Sequence, residues 1–184
     1  MFASRFFVSL LALGSFTISA TPIPENVEKR ADVSDVLSIV SDLKSSTSTI
    51  TTQINSLVSG GTASELNVSP LITDLVASLN TATSSLASIE SVDSSSGGSA
   101  SDVANAIAPI VSDITTTLDS VSTAVPGITT LLGGLGLDAA LNQLLGGLER
   151  LLAGVLNLVA NLLVNVANLL RRLAFALTLS TLGL

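Results

Sequence analysis

The chain has 184 residues, 14 acidic and seven basic side chains, a formal net charge of −7, and neither Cys nor His. Trp and Tyr are absent as well, and four of the five Phe lie within the first 16 positions, leaving Phe175 as the single aromatic beyond them. This excludes disulfide staples and thiolate metal sites. It also removes the side chain most used in acid–base catalysis, leaves a Ser nucleophile without a base, and denies nucleic acid its stacking and cationic partners. An enzyme is not expected, nor a cofactor.

Residues 1–20 read as a signal peptide. Arg5 gives a positive start, Phe6 to Phe16 an apolar run too short to span a bilayer, and Ser19-Ala20 a small-residue cleavage site. Residues 21–30 read as a propeptide ending in the dibasic pair Lys29-Arg30, cut by a kexin-type protease so that the mature chain starts at Ala31. The expected location is secreted: extracellular or cell wall.

Residues 31–125 form an acidic region holding 23 Ser and 12 Thr, with ten acids against Lys44. Its apolar residues keep a helical spacing. Val36, Val40, Leu43, Thr47, Ile50, Ile54 and Leu57 form a seam, with Asp32 as N-cap and Gly60-Gly61 as stop. A second unit starts at Ser69-Pro70 and runs through Ile72, Leu75, Leu79, Ala82, Leu86 and Ile89. Ser94 to Ser99 reads as a flexible break. A third unit runs through Val103, Ile107, Ile110, Ile114, Leu118, Val121 and Val125, with Pro109 kinking or dividing it. Three narrow apolar stripes suit an antiparallel bundle held by packing, since Ser and Thr are mediocre helix formers. The exposed hydroxyls are natural sites for O-mannosylation. Asn67-Val68-Ser69 fits the N-glycosylation acceptor pattern, though Pro70 directly after it disfavours occupancy.

Residues 126–184 are dominated by Leu, Val and Ala and hold only five Ser and Thr. Three Arg stand against Asp138 and Glu149. Leu131-Leu132-Gly133-Gly134-Leu135 recurs as Leu144-Leu145-Gly146-Gly147-Leu148. The run from Leu148 to Leu177 predicts one helix of about 45 Å. Arg150, Gly154, Asn157, Asn161, Asn165, Asn168 and Arg172 recur by fours and threes along it, a narrow polar ridge on an otherwise apolar rod. That inverts the usual surface helix.

Leu151 to Leu170 is long enough for a membrane span, but four Asn in it are unfavourable in lipid without a partner helix. The tail after Arg172 lacks the cleavage site and spacer of a glycolipid anchor signal. A helix that packs on its neighbours, or spreads on an apolar surface, fits best. Burying a Leu or Val contributes roughly 1.5–3 kcal/mol, so ten of them would make adsorption practically irreversible. A soluble form must therefore hide the segment. Anionic-membrane binders place several Lys or Arg along the polar face, whereas this ridge is Asn with an Arg near each end.

The layout of signal peptide, Lys-Arg, Asp32-Val33-Ser34-Asp35-Val36-Leu37, Ser/Thr-rich half and Leu-rich tail with Leu151-Leu152-Ala153-Gly154-Val155-Leu156-Asn157-Leu158 resembles a basidiomycete group. These are the cysteine-free secreted structural proteins of the Sc-fifteen type. The resemblance implies a wall or matrix protein serving aerial hyphae and attachment, without catalytic or ligand residues. The first half also resembles the hydrophobic surface-binding (galactomannoprotein) family, from which the Leu-rich tail departs.

The expected protein is thus all-α, a helical bundle from the Ser/Thr-rich half plus a hydrophobic helical segment. Its expected partners are hydrophobic surfaces or the air–water interface, further copies of itself, and cell-wall polysaccharide or lipid, with no nucleic acid. The alternative is a lipid-binding or membrane-inserting, effector-like protein using the C-terminal helix.

Overall fold

The computed structural model describes residues 31–184, so the signal and propeptide segments, with Lys29 and Arg30, lie outside the described residues. The described chain is all-α apart from two short strands. Its order is β1 (Ala31–Asp32), α1 (Val33–Ser59), α2 (Glu65–Ala87), β2 (Val92–Asp93), α3 (Ala100–Ala124), α4 (Ile128–Gly134), α5 (Leu137–Leu151), α6 (Val155–Leu163), a 3-10 turn (Val164–Val166), α7 (Ala167–Arg172) and α8 (Ala176–Leu182).

The helices α1, α2 and α3 form an inner bundle, with α1 packed on both others. Each stripe read from the sequence is buried, apart from Leu57 and Ile89 at the ends, which are half-buried. Asp32 caps α1 in a reciprocal box with Asp35, and Ser99 does the same for α3 with Asp102. The buried hydroxyls of the bundle cost little. Thr47 and Thr115 donate their buried hydroxyls to the carbonyls of Leu43 (2.8 Å) and Val111 (2.7 Å), one turn back. Exposed Ser38, Ser46, Thr49, Thr52 and Ser56 along α1 do likewise.

Three expectations are corrected. The second helix begins at Glu65, capped by Ser64, one turn before Ser69-Pro70. Pro70 is exposed within its second turn, and the helix continues through it to Ala87. Pro109, on the outer side of α3, divides nothing, because α3 continues to Ala124. The Ser/Gly stretch is a built turn, not a flexible break: β2 pairs in parallel with β1, and Val33 N–H donates to Ser96 O at 3.2 Å. Gly97 has φ +78°, and a Cβ there would lie 2.8 Å from both Asp32 Oδ1 and Ser34 N, so only glycine fits.

The largest correction concerns Leu148 to Leu177, which is not one helix. It breaks at 152–154, where Leu152 is extended and Gly154 has φ +90°, and again at the turn around Ala174. A straight rod apolar on most sides could bury only one of them against the bundle. Folded into pieces it buries several: α5 lies against α2, α6 against α3, and α8 packs on α5, α6 and α7. These pieces and α4 form an outer layer whose buried residues, from Ile128 to Leu182, belong to the same core cluster as the inner bundle. The change of composition at Pro126 is therefore not a boundary of packing. Among the described residues no single helix is long and apolar enough to cross a membrane; only α4 and α5 together, bent by 50°, reach that length and composition.

Candidate interfacial face

The rod formed by α6, the 3-10 turn and α7 sets the character of the outer surface. Val155, Val159, Leu163, Val166, Ala167 and Leu170 point inward and are buried. On α3, a second buried set at helical spacing, Ala104, Ala108, Val111 and Thr115, runs beside the inner seam. Ala108 lines a shallow groove with Leu162 and Leu163, which puts this side of α3 under α6. Small residues there let the two backbones approach closely.

Asn157, Asn161, Asn165 and Asn168 are all exposed, and so are Arg150 and Arg172. The ridge does not stand alone, however. Leu158, Leu162 and Val164 lie among the Asn with 37, 47 and 58% of their surface open, and Leu177 at the start of α8 is 50% open. Four of the five large exposed hydrophobics among the described residues thus lie between 158 and 177. The outer face is a mixed Asn/Leu surface. The fifth, Leu66, is 84% exposed at the start of α2, beside Leu57, Pro70 and Leu71 and near Leu131 of α4. Next to it, Asn67 is exposed and its Nδ2 donates to Thr62 O at 3.1 Å.

Each of the five charged side chains of residues 126–184 has a partner, and two of them, Arg172 and Arg150, reach the inner bundle. Arg172 pairs with Asp119 of α3 at 2.8 Å. Arg150 donates to Leu86 O at the end of α2 (3.3 Å), and Arg171 to Asn168 Oδ1 (3.1 Å). Glu149 accepts from the N–H groups of Gly154 and Leu156, both at 2.9 Å, capping α6 across the break. Asp138 accepts from Leu177 N–H and Thr178 N–H, both at 2.9 Å, and from the Thr178 hydroxyl at 2.7 Å. Sequence reasoning did not foresee these caps. Glu149 offered a signal, an isolated acid five residues before Gly154. Asp138 offered none, since its partners lie about forty residues away. Among the described residues no cluster of three or more acidic side chains is arranged to hold a metal ion.

The arrangement presents apolar side chains outward over an apolar layer. No protein-family model matches the chain. Over 100 residues it is 37% identical to the Fruiting body differentiation protein 16 of Flammulina velutipes, a match covering 53% of this chain and 77% of that protein. The chain belongs to that protein's family. The family is fungal, and its member here is an all-α bundle under a Leu-rich outer layer.

Proposed function

We propose that the protein is a secreted, non-enzymatic structural protein of the fungal wall or extracellular matrix that adsorbs to, or self-assembles at, hydrophobic interfaces during fruiting-body development. In that role it supports aerial hyphae and surface attachment, as the Sc-fifteen resemblance implies. The developmental setting is suggested by the relative's name. One observation carries the adsorption: the most apolar part of the chain is folded as an outer layer, and leucines already protrude from it.

Side chains such as Leu158 and Leu162 contribute roughly 1.5–3 kcal/mol each when fully buried, somewhat less here because they start half covered. A few of them suffice for a first, reversible contact. Firm adsorption requires the layer beneath to open as well, so the soluble and adsorbed forms are two states of one chain.

The test compares adsorption of the mature protein on a waxed surface, on neutral vesicles and on anionic vesicles. Coating of wax with little preference for anionic lipid is expected, because the Arg side chains of the outer layer are few and already engaged. Strong preference for anionic vesicles would instead support the lipid-binding reading, and no adsorption to any of them would overturn both.

A further inference from the structure

We propose that α8 is a releasable lid, latched by Asp138, whose lifting opens the apolar interior of the outer layer to a hydrophobic surface. This rests on the adsorption reading and names its regulation. The helix packs on α5, α6 and α7, all within the outer layer, so it can leave without disturbing the inner bundle. Its hinge is the turn before it, where Ala174 has φ +60°, the single positive φ of a non-glycine among the described residues. An L-residue with a Cβ is disfavoured there, so the closed state holds strain that opening relieves.

Polar contacts keep the lid shut. The two carboxylate oxygens of Asp138 take the Leu177 and Thr178 N–H groups and the Thr178 hydroxyl. One turn further on, the Thr181 hydroxyl donates to Asn142 Oδ1. Both acceptors stand on α5, four residues apart and hence on one face. Beneath the lid the apolar closure is modest: Phe175 and Leu182 are buried, while Leu179 is only half-buried.

A surface can shift this equilibrium only by binding one state better than the other. The closed lid offers it Leu177. The open lid offers Phe175, Leu179 and Leu182 as well, together with the faces of α5 and α6 that they cover. An apolar surface therefore favours opening, and water favours the latch.

The experiment uses the full mature chain, which has no Cys of its own. Replacing Asn142 and Thr181 by Cys allows one disulfide that locks the lid. The oxidised form should coat wax roughly ten-fold more slowly than the parent, and reduction should restore the rate. Asp138→Ala should raise hydrogen exchange at Leu177 and Thr178 about ten-fold or more while leaving α1 to α3 protected. Asp42→Ala, an exposed acid on α1, removes the same charge and should change neither measurement. Equal coating rates for the oxidised and reduced forms would overturn the lid, as would unchanged exchange in Asp138→Ala. Failure of the parent to adsorb, with α8 exchange still responding to Asp138→Ala, would overturn the adsorption reading and leave the latch standing.

Discussion

Each inner helix begins on a side chain of its own. Asp32, Ser64 and Ser99 accept hydrogen bonds from the first turns of α1, α2 and α3, which run for 27, 23 and 25 residues. None of α4 to α8 has such a cap, and the longest of them is α5 with 15 residues. The first three begin at Gly127, Gly136 and Gly154, all in the left-handed region. Isolated helices this short are marginal in water. The inner bundle is thus written into local sequence, whereas the outer helices exist because they are pressed onto it and tied by Asp138, Glu149, Arg150 and Arg172. We expect local stability to follow the same division, with the outer layer opening first.

That contrast can be broken most forcefully by a buried charge. Ile107→Asp in α3 and Leu170→Asp in α7 both bury a carboxylate at a site with no exposed surface. Each should cost several kcal/mol, about 3 or more. The first should abolish the helical circular dichroism of the whole protein. The second should release the outer layer and leave amides of α1 to α3 protected from hydrogen exchange. Loss of protection throughout in both variants would show that the two layers fold as one unit.

Glycine substitutions sharpen the comparison at smaller cost. Gly97→Ala meets Asp32 Oδ1 and Ser34 N besides adopting φ +78°, whereas Gly154→Ala has φ +90° with nothing within 4 Å. About 1–3 kcal/mol is expected for strain at either site, with the clash adding to the first. Thermal melting should therefore fall further for Gly97→Ala, although the mutated loop is the one richer in Ser and Gly. Equal melting temperatures would remove the special role of the β1–β2 turn.

The smallest effect on stability belongs to the ridge. Asn161 and Asn165 are exposed, so changing both to Leu should alter folding by only about 0.5 kcal/mol each. The variant should wash off wax less readily and aggregate more in solution. Unchanged wash-off would separate the ridge from adsorption.

The inner stripes were legible because helix period and burial are the same signal there: Val36 to Ile54 could be assigned to the core residue by residue. The shared exposure of the four Asn follows their spacing, which survives the 3-10 turn between α6 and α7, but the spacing gave no sign of the leucines exposed among them. The breaks were not. A segment that is Leu, Val or Ala on most sides has no periodic contrast to say where it bends, and only Gly154 marked one bend locally. The bend at Ala174 has no residue preference behind it at all. Leu163 and Leu170, two of the apolar residues of that rod, are buried, so they report on folding instead of adsorption. The exposed leucines that could serve that purpose, Leu158 and Leu162, look no different from them in sequence.

The back-bonded hydroxyls of α1 have a further consequence. Ser38, Ser46, Thr49, Thr52 and Ser56 each spend their hydrogen on the carbonyl one turn back, so what they turn outward is oxygen lone pairs. The helix α1 packs on α2 and α3, on the side of the molecule away from α5 and α6. In the proposed adsorbed state, with the outer layer against wax, the skin left facing the medium is anionic and rich in acceptors. A coat of such molecules would make a water-repellent wall wettable, and its free side would welcome hydroxyl-rich polymers or hydrated cations.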